Sequence, residues 1–260
     1  MRLNRLTRYG DGRYVVVPLD HSVSDGPIAR ADEFDGLVGA VVDGGADAVV
    51  VHKGRARFVD PTRFGDTALV VHLSAGTAHA SDSHAKVLVG GVEEALRIGA
   101  DAVSVHVNVG ADTEPAQLAD FGAVAEGCDR WGMPLLAMVY PRGPRVRDAR
   151  DPELLAHVVN IAADLGADLV KTTMARTPAE MADVVASSPI PVLVAGGADG
   201  GDLAAFVRSA LAADCHGVAI GRRIFRHPDP AAIVRELGRL VHPRAARLES
   251  PLYPVLAGSS

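Results

Sequence analysis

Lysine is almost missing from this chain. Only Lys53, Lys86 and Lys171 occur among 260 residues, and arginine supplies the remainder of the 26 basic side chains. Cysteine is as scarce. Cys128 and Cys215 stand far apart with no CxxC spacing, which excludes a disulfide framework or a cysteine zinc site and leaves small buried hydrophobes of a reduced compartment. The histidines show no HxH or HExxH spacing, so no catalytic metal is expected. No apolar run approaches the roughly 20 residues of a membrane span. The opening MRLNRLTRYGDGR is basic but has no apolar stretch behind it, so no secretory signal is expected and the location implied is cytoplasmic. A net charge of −6 and a pI near 5.9 argue against nucleic acid or an anionic membrane as partner. No Pro/Ser-rich or charged linker divides the chain, and no GxGxxG follows the first apolar run, which weakens a dinucleotide-binding reading.

What is present is a repeat. Gly-Ala-Asp followed by an apolar run occurs at 45–51 (GADAVVV), 99–105 (GADAVSV) and 166–170 (GADLV), with a degenerate copy at 212–220 (AADCHGVAI). Each copy follows a segment of helical periodicity. The glycine therefore reads as a left-handed helix stop and the run as a strand buried on both faces. Eight apolar runs predict strands at 14–19, 47–52, 68–73, 101–107, 135–140, 168–172, 191–195 and 216–220. Helices are predicted near 32–44, 92–98, 116–131, 152–165, 178–187, 202–213 and 230–241, with a weak signal after the second strand. Eight parallel strands alternating with helices, in a chain that is 48% hydrophobic, predict a single α/β domain, a (β/α)8 TIM barrel over 1–241. Residues 242–260 read as a wrapping or frayed tail.

In such barrels the active site is built at the C-terminal strand ends. Here those ends carry Asp20-His21, His52-Lys53, His72, His106 with Asn108, Tyr140 with Arg142, and Lys171-Thr172. Burial disfavours the charged form of an amine, and a neutral amine can attack a carbonyl to form an imine that serves as an electron sink. Lys171, in DLVKTT, has the setting for this, and Lys53, in VVVHKG, is its rival; a phosphate contact or an ion pair would suit either lysine equally. Lys86, in the loop SDSHAKV, is expected to be solvated. Asp20 suits proton shuttling or an ion pair with lysine. Tyr140 suits acid–base work or an aromatic cap. Glycines at Gly196 and Gly197 after strand seven, and Gly221 with Arg222 after strand eight, make a phosphate site of the kind these barrels use.

Six segments in order carry a family resemblance: VVVPLDHSVSDGPI (15–28), HKG (52–54), YPRG (140–143), GADLVKT (166–172), VAGG (194–197) and AIGRRIF (219–225). Over residues 1–241 the chain resembles the DhnA-type class I aldolases, which include archaeal-type fructose-bisphosphate aldolase and 2-amino-3,7-dideoxy-heptulosonate synthase. The resemblance implies Lys171 as the Schiff-base lysine, Tyr140 as acid/base, Asp20 as catalytic aspartate, phosphate on Gly196, Gly197, Gly221 and Arg222, and no metal or other cofactor. Within the family the chain is most similar to an actinobacterial secondary-metabolism branch. That branch joins a phosphorylated ketose donor, dihydroxyacetone phosphate, to the aldehyde acceptor L-aspartate 4-semialdehyde. His21, Lys53 and Arg142 are candidates for the acceptor's carboxylate. Two departures stand out: Ser22 where relatives more often have glycine, and TTMAR after the lysine where an aromatic residue is common. Relatives form rings and stacked rings, so a homo-oligomer such as a decamer is implied. The competing readings are fructose-bisphosphate cleavage, the heptulosonate synthase reaction and a non-catalytic sugar-phosphate-binding barrel.

Overall fold

A computed structural model describes residues 3–196 and 200–243. Eight parallel strands close into a barrel: β1 (Tyr14–Pro18), β2 (Ala48–His52), β3 (Ala68–His72), β4 (Ala102–Val109), β5 (Leu135–Pro141), β6 (Leu169–Thr172), β7 (Val192–Ala195) and β8 (Gly217–Ala219). Each strand pairs with the next in sequence, and β8 pairs back onto β1. Around the barrel lie α1 (Phe34–Asp43), α2 (Lys53–Ala56), α3 (Val92–Ile98), α4 (Glu114–Trp131), α5 (Pro152–Asp164), α6 (Pro178–Ala186), α7 (Leu203–Ala212), α8 (Arg222–Phe225) and α9 (Pro230–Val241). The expected (β/α)8 barrel is present, and the weak signal after strand two is explained by α2 being a single turn.

Helix starts follow local chemistry. Asp151, Asp202 and Asp229 cap α5, α7 and α9 through side-chain oxygens, and Thr177 with Glu180 forms a reciprocal capping box on α6. In α5, α6 and α9 proline follows the cap, where its missing N–H costs nothing.

The Gly-Ala-Asp repeat has a structural meaning beyond the helix stop. Gly45, Gly99 and Gly166 adopt φ of 88°, 90° and 94°. The aspartate two residues on then fastens the new strand to the one before it. Asp47, Asp101 and Asp168 donate their backbone N–H to the carbonyls of Val15, Leu69 and Leu135. Their carboxylates accept the N–H of the same residues at 2.6, 3.0 and 2.8 Å. The fourth copy is shifted against the expected alignment. Asp214, at φ 58°, occupies the glycine position, and His216 makes the clip, donating to Val192 O and accepting Val192 N–H at 3.3 Å. Asparagine and aspartate tolerate the left-handed region better than other side chains, so the sequence signature degrades while the geometry survives.

Inside the barrel, alternate residues of each strand make one apolar cluster, including Val16, Val50, Val70, Leu136, Leu169 and Leu193. The opposite parity packs under the helices in a larger core. A short antiparallel hairpin absent from the sequence-based expectation, Ser74–Ala75 with Val87–Leu88, follows β3. Two residues per strand carry no usable period.

The base of the barrel is closed by His242, which is 1% exposed. Its ring bonds Asp47 Oδ2 and Asp11 Oδ2, both at 2.9 Å. His242, the first residue of the expected tail, is thus packed against the barrel; residues 244–260 of that tail lie outside the described residues. Burial opposes a charge on this imidazole, but Asp47 and Asp11 outweigh it and raise its pKa. A histidine raised on folding contributes stability that is complete below its unfolded pKa of about 6.5 and is lost as pH rises through the folded value. In urea titrations, the stability gap between wild type and His242→Gln is expected to be widest at pH 6 and to narrow towards pH 9. A gap that widens with pH would contradict this pairing.

Candidate active site

The inward parity of the strands also selects what meets solvent at the mouth. Continuing from Val50, Val70, Leu136 and Leu169, the next inward positions are His52, His72, Met138 then Tyr140, and Lys171. These line a cavity of about 1130 Å3 together with Asp20, His21, His106 and Arg142. Lys171 lies in register with Met138 on β5 and Leu193 on β7 and is 7% exposed.

Asp20 follows β1 and faces three imidazoles. His21 Nδ1 lies 3.3 Å from Oδ1, and His72 Nε2 lies 3.8 Å from Oδ2. His72 is held on its other nitrogen by Ser104 Oγ at 2.8 Å and meets the His52 ring edge-on at 5.2 Å. Burial alone would raise the Asp20 carboxyl. The positive groups around it, His72 first and then His21, Lys171 and His52, outweigh burial and hold it below the usual carboxylate range. Burial also pushes His72 down to about 4, and lowers His21 and His52. Burial thus works against a charge on each of these rings, while Asp20 stays ionised among them. A carboxylate and an amine sharing one buried pocket can pass a proton between them.

Tyr140 is 4% exposed and sits between the His106 ring, 5.1 Å away, and the Arg142 guanidinium, 4.3 Å from its ring centroid. His106 Nε2 is 2.9 Å from Asn108 Oδ1, and burial, then Arg142, push its pKa well down. Asn108 and Gln117 both donate to His84 O, at 2.7 and 3.0 Å, which ties the hairpin loop to β4.

The far wall is made by the ends of β7 and β8. A Cβ on Gly196 would lie 2.7 Å from Ile220 Cγ1, and one on Gly221 would lie 2.5 Å from Pro18 O and 2.6 Å from His21 Cε1. Both glycines are required by close approach rather than by φ. Arg222 lines the cavity beside them, while Arg223 bonds the carbonyls of Gly200 and Gly201 and so anchors the loop after β7. Gly197 lies outside the described residues.

Lys53 departs from expectation. It begins α2, its Nζ bonds Glu94 Oε2 at 2.8 Å, and it does not line the cavity. The strand ends at His52, as expected, so His52 takes the inward place and Lys53, in the helix that follows, pairs with Glu94 at the start of α3. Lys86 departs the other way: it is half-buried and lines the cavity rather than being solvated. Thr173 and Met174 also line it. Among the described residues no group of three histidine, cysteine, aspartate or glutamate side chains is placed to hold a metal ion, and no helix is long and apolar enough to cross a membrane.

A closed (β/α)8 barrel with a lysine, a carboxylate and a tyrosine gathered at its mouth can carry aldolase chemistry. The chain belongs to the DeoC/LacD family of aldolases, whose model matches residues 14–227. It is 52% identical over 250 residues to 2-amino-4,5-dihydroxy-6-oxo-7-(phosphonooxy)heptanoate synthase of Streptomyces griseus, covering 95% of this chain and 91% of that one. It is 40% identical over 243 residues to 2-amino-3,7-dideoxy-D-threo-hept-6-ulosonate synthase of Halobacterium salinarum, covering 93% and 90%. Among solved structures, an archaeal fructose-1,6-bisphosphate aldolase with its catalytic lysine covalently bound to a carbinolamine intermediate superposes with a TM-score of 0.84 at 25% identity, covering 92% of this chain and 98% of that one. A Schiff-base-forming fructose-1,6-bisphosphate aldolase gives the same score and identity, covering 93% and 98%.

Gly221→Ala is expected to cost about 1–3 kcal/mol of stability through overpacking against Pro18 O and His21. Denaturant titration checks this, and an unchanged midpoint would mean that the β1 and β8 loops are looser than the geometry implies.

Proposed function

We propose that this chain is a class I aldolase that joins dihydroxyacetone phosphate to L-aspartate 4-semialdehyde, giving a seven-carbon amino-keto sugar phosphate for a secondary-metabolite pathway. The observation that carries the reading is Lys171, 7% exposed on the inner face of β6 and lining the same cavity as Asp20 and Tyr140. The heptanoate synthase relative supports the choice of substrates, and the carbinolamine-bearing relative supports covalent chemistry at a barrel lysine.

In this mechanism the donor phosphate rests on Gly196, Gly197, Gly221 and Arg222, which places the ketone towards Lys171. Asp20 takes a proton from the Lys171 ammonium, and the freed lone pair attacks the carbonyl carbon. The carbinolamine hydroxyl receives that proton back from Asp20 and leaves as water, giving a protonated imine. Asp20, again a carboxylate, takes a proton from the hydroxymethyl carbon, and the C–H electron pair moves into the imine, which becomes a neutral enamine. The enamine carbon then attacks the aldehyde, the C–N double bond re-forms, and the aldehyde oxygen takes a proton to become the new hydroxyl. Tyr140, at the cavity wall beside Arg142, handles that proton. Water adds to the product imine and releases the ketone and Lys171. The imine itself is the electron sink, so this chemistry calls for no metal or other cofactor.

Purified protein supplied with both substrates is expected to form the seven-carbon product, detected by mass. Lys171→Ala should form none. Tyr140→Phe should lower turnover by about 100-fold or more, the usual scale of a lost acid–base group. Turnover of fructose 1,6-bisphosphate in preference to this condensation would overturn the substrate assignment while leaving the aldolase class standing.

A further inference from the structure

Two further cations, Lys86 and Arg142, line the cavity apart from the donor phosphate site. Lys86 closes the loop of the hairpin that follows β3, and Arg142 follows β5. In an eight-strand ring β3 lies opposite β7, so Lys86 faces Gly196 across the mouth. The lysine is built into place. Its stem crosses the backbone of Gly76, where a Cβ would lie 2.8 Å from Lys86 Nζ and 3.2 Å from Cδ and would also meet Ala85 O. Glycine at 76 leaves room for that stem, and the loop is fastened to β4 through His84 O.

Three other cations of the cavity are already spent. Arg150 bonds the carbonyls of Ala175 and Arg176, Arg176 pairs with Asp148, Asp151 and Glu180, and Arg223 bonds Gly200 and Gly201. The Lys86 ammonium makes no hydrogen bond or ion pair with the described residues. Among those residues the Arg142 guanidinium lies over the Tyr140 ring and makes no hydrogen bond or ion pair. Burial, then the like charge of Arg142, lower the Lys86 pKa, partly offset by Asp25, Asp82 and Asp20 at longer range. Lys86 is half-buried and Arg142 is exposed, and holding these like charges at one cavity costs free energy that a bound anion would return.

We propose that Lys86, with Arg142, binds the carboxylate of the acceptor aldehyde and so selects an acidic acceptor. This rests on the aldolase reading above. It assigns the selection to the hairpin after β3 rather than to His21 or Lys53: His21 is turned to Asp20, and Lys53 is paired with Glu94 outside the cavity.

The test is steady-state kinetics of the full-length protein with dihydroxyacetone phosphate and three acceptors: aspartate 4-semialdehyde, propanal and glyceraldehyde 3-phosphate. For Lys86→Met, KM for aspartate semialdehyde is expected to rise about tenfold or more, on the scale of one lost charged hydrogen bond, with kcat changed less. KM for propanal should stay within about threefold, because a neutral aldehyde offers that charge nothing. Lys86→Arg should recover most of the loss, which a merely structural role would not require. An equal loss for the acidic and neutral acceptors would overturn the proposal, as would no loss for either. A loss confined to glyceraldehyde 3-phosphate would reassign the pair to a phosphate and overturn the carboxylate claim. Borohydride reduction with the donor alone separates the two levels: no adduct in wild type removes the aldolase reading itself. An adduct in both wild type and Lys86→Met is the expected result, because a residue that holds only the acceptor is not needed for the donor imine.

Discussion

Strand register is the constraint from which the rest follows, and at the barrel base four clips hold it. Asp47, Asp101, Asp168 and His216 each close a two-bond ring with the first residues of the preceding strand, fastening β2 to β1, β4 to β3, β6 to β5 and β8 to β7. A slip of one residue would turn every inward side chain outward. With β6 fixed against β5, Leu169 faces the packed interior and Lys171, two residues on, faces the mouth. The same parity carries Tyr140 above Leu136 and Met138. Asp47, which also accepts from Arg8 N–H and His242, adds the N-terminal segment and the end of α9 to the first clip.

At the mouth, burial is used in two directions. It strips charge from His72, His52 and His106, so that rings close to the reacting groups are neutral at physiological pH. It does not neutralise Asp20, whose carboxyl is held below the usual range by the imidazoles and the lysine around it. The result is one carboxylate able to accept a proton from one amine, with neutral donors and acceptors around them. Two electropositive walls flank this centre. One combines closely packed glycines with Arg222; the other carries Lys86 and Arg142. The lysine between them is where carbon–carbon bond chemistry would occur.

Most of the fold is legible in the sequence because a parallel barrel writes its strands as short apolar runs between helix stops. The glycines of the repeat mark those stops, and three of them adopt the expected left-handed conformation. The role of the following aspartate is not legible, since a carboxylate clip leaves no period, and the fourth copy aligns wrongly because Asp214 and His216 replace glycine and aspartate. His242 reads as tail because its two carboxylate partners are remote in sequence. In the site, Lys171, Tyr140, Asp20, His21, Arg142, Gly196, Gly221 and Arg222 all come to one cavity. Lys53 falls outside it by one position of strand parity. Lys86 escapes sequence reasoning because a hairpin with two residues per strand gives no alternation, and its only local sign is the glycine it crosses.

The scarcity of lysine makes the central claim unusually direct to test. Borohydride reduction of the protein with dihydroxyacetone phosphate, followed by peptide mass mapping, has only Lys53, Lys86 and Lys171 to choose among besides the N-terminus. A single reduced adduct on the peptide that contains Lys171 is predicted, with the peptides of Lys53 and Lys86 unmodified. An adduct on either of those lysines, or none at all, would contradict the assignment of Lys171.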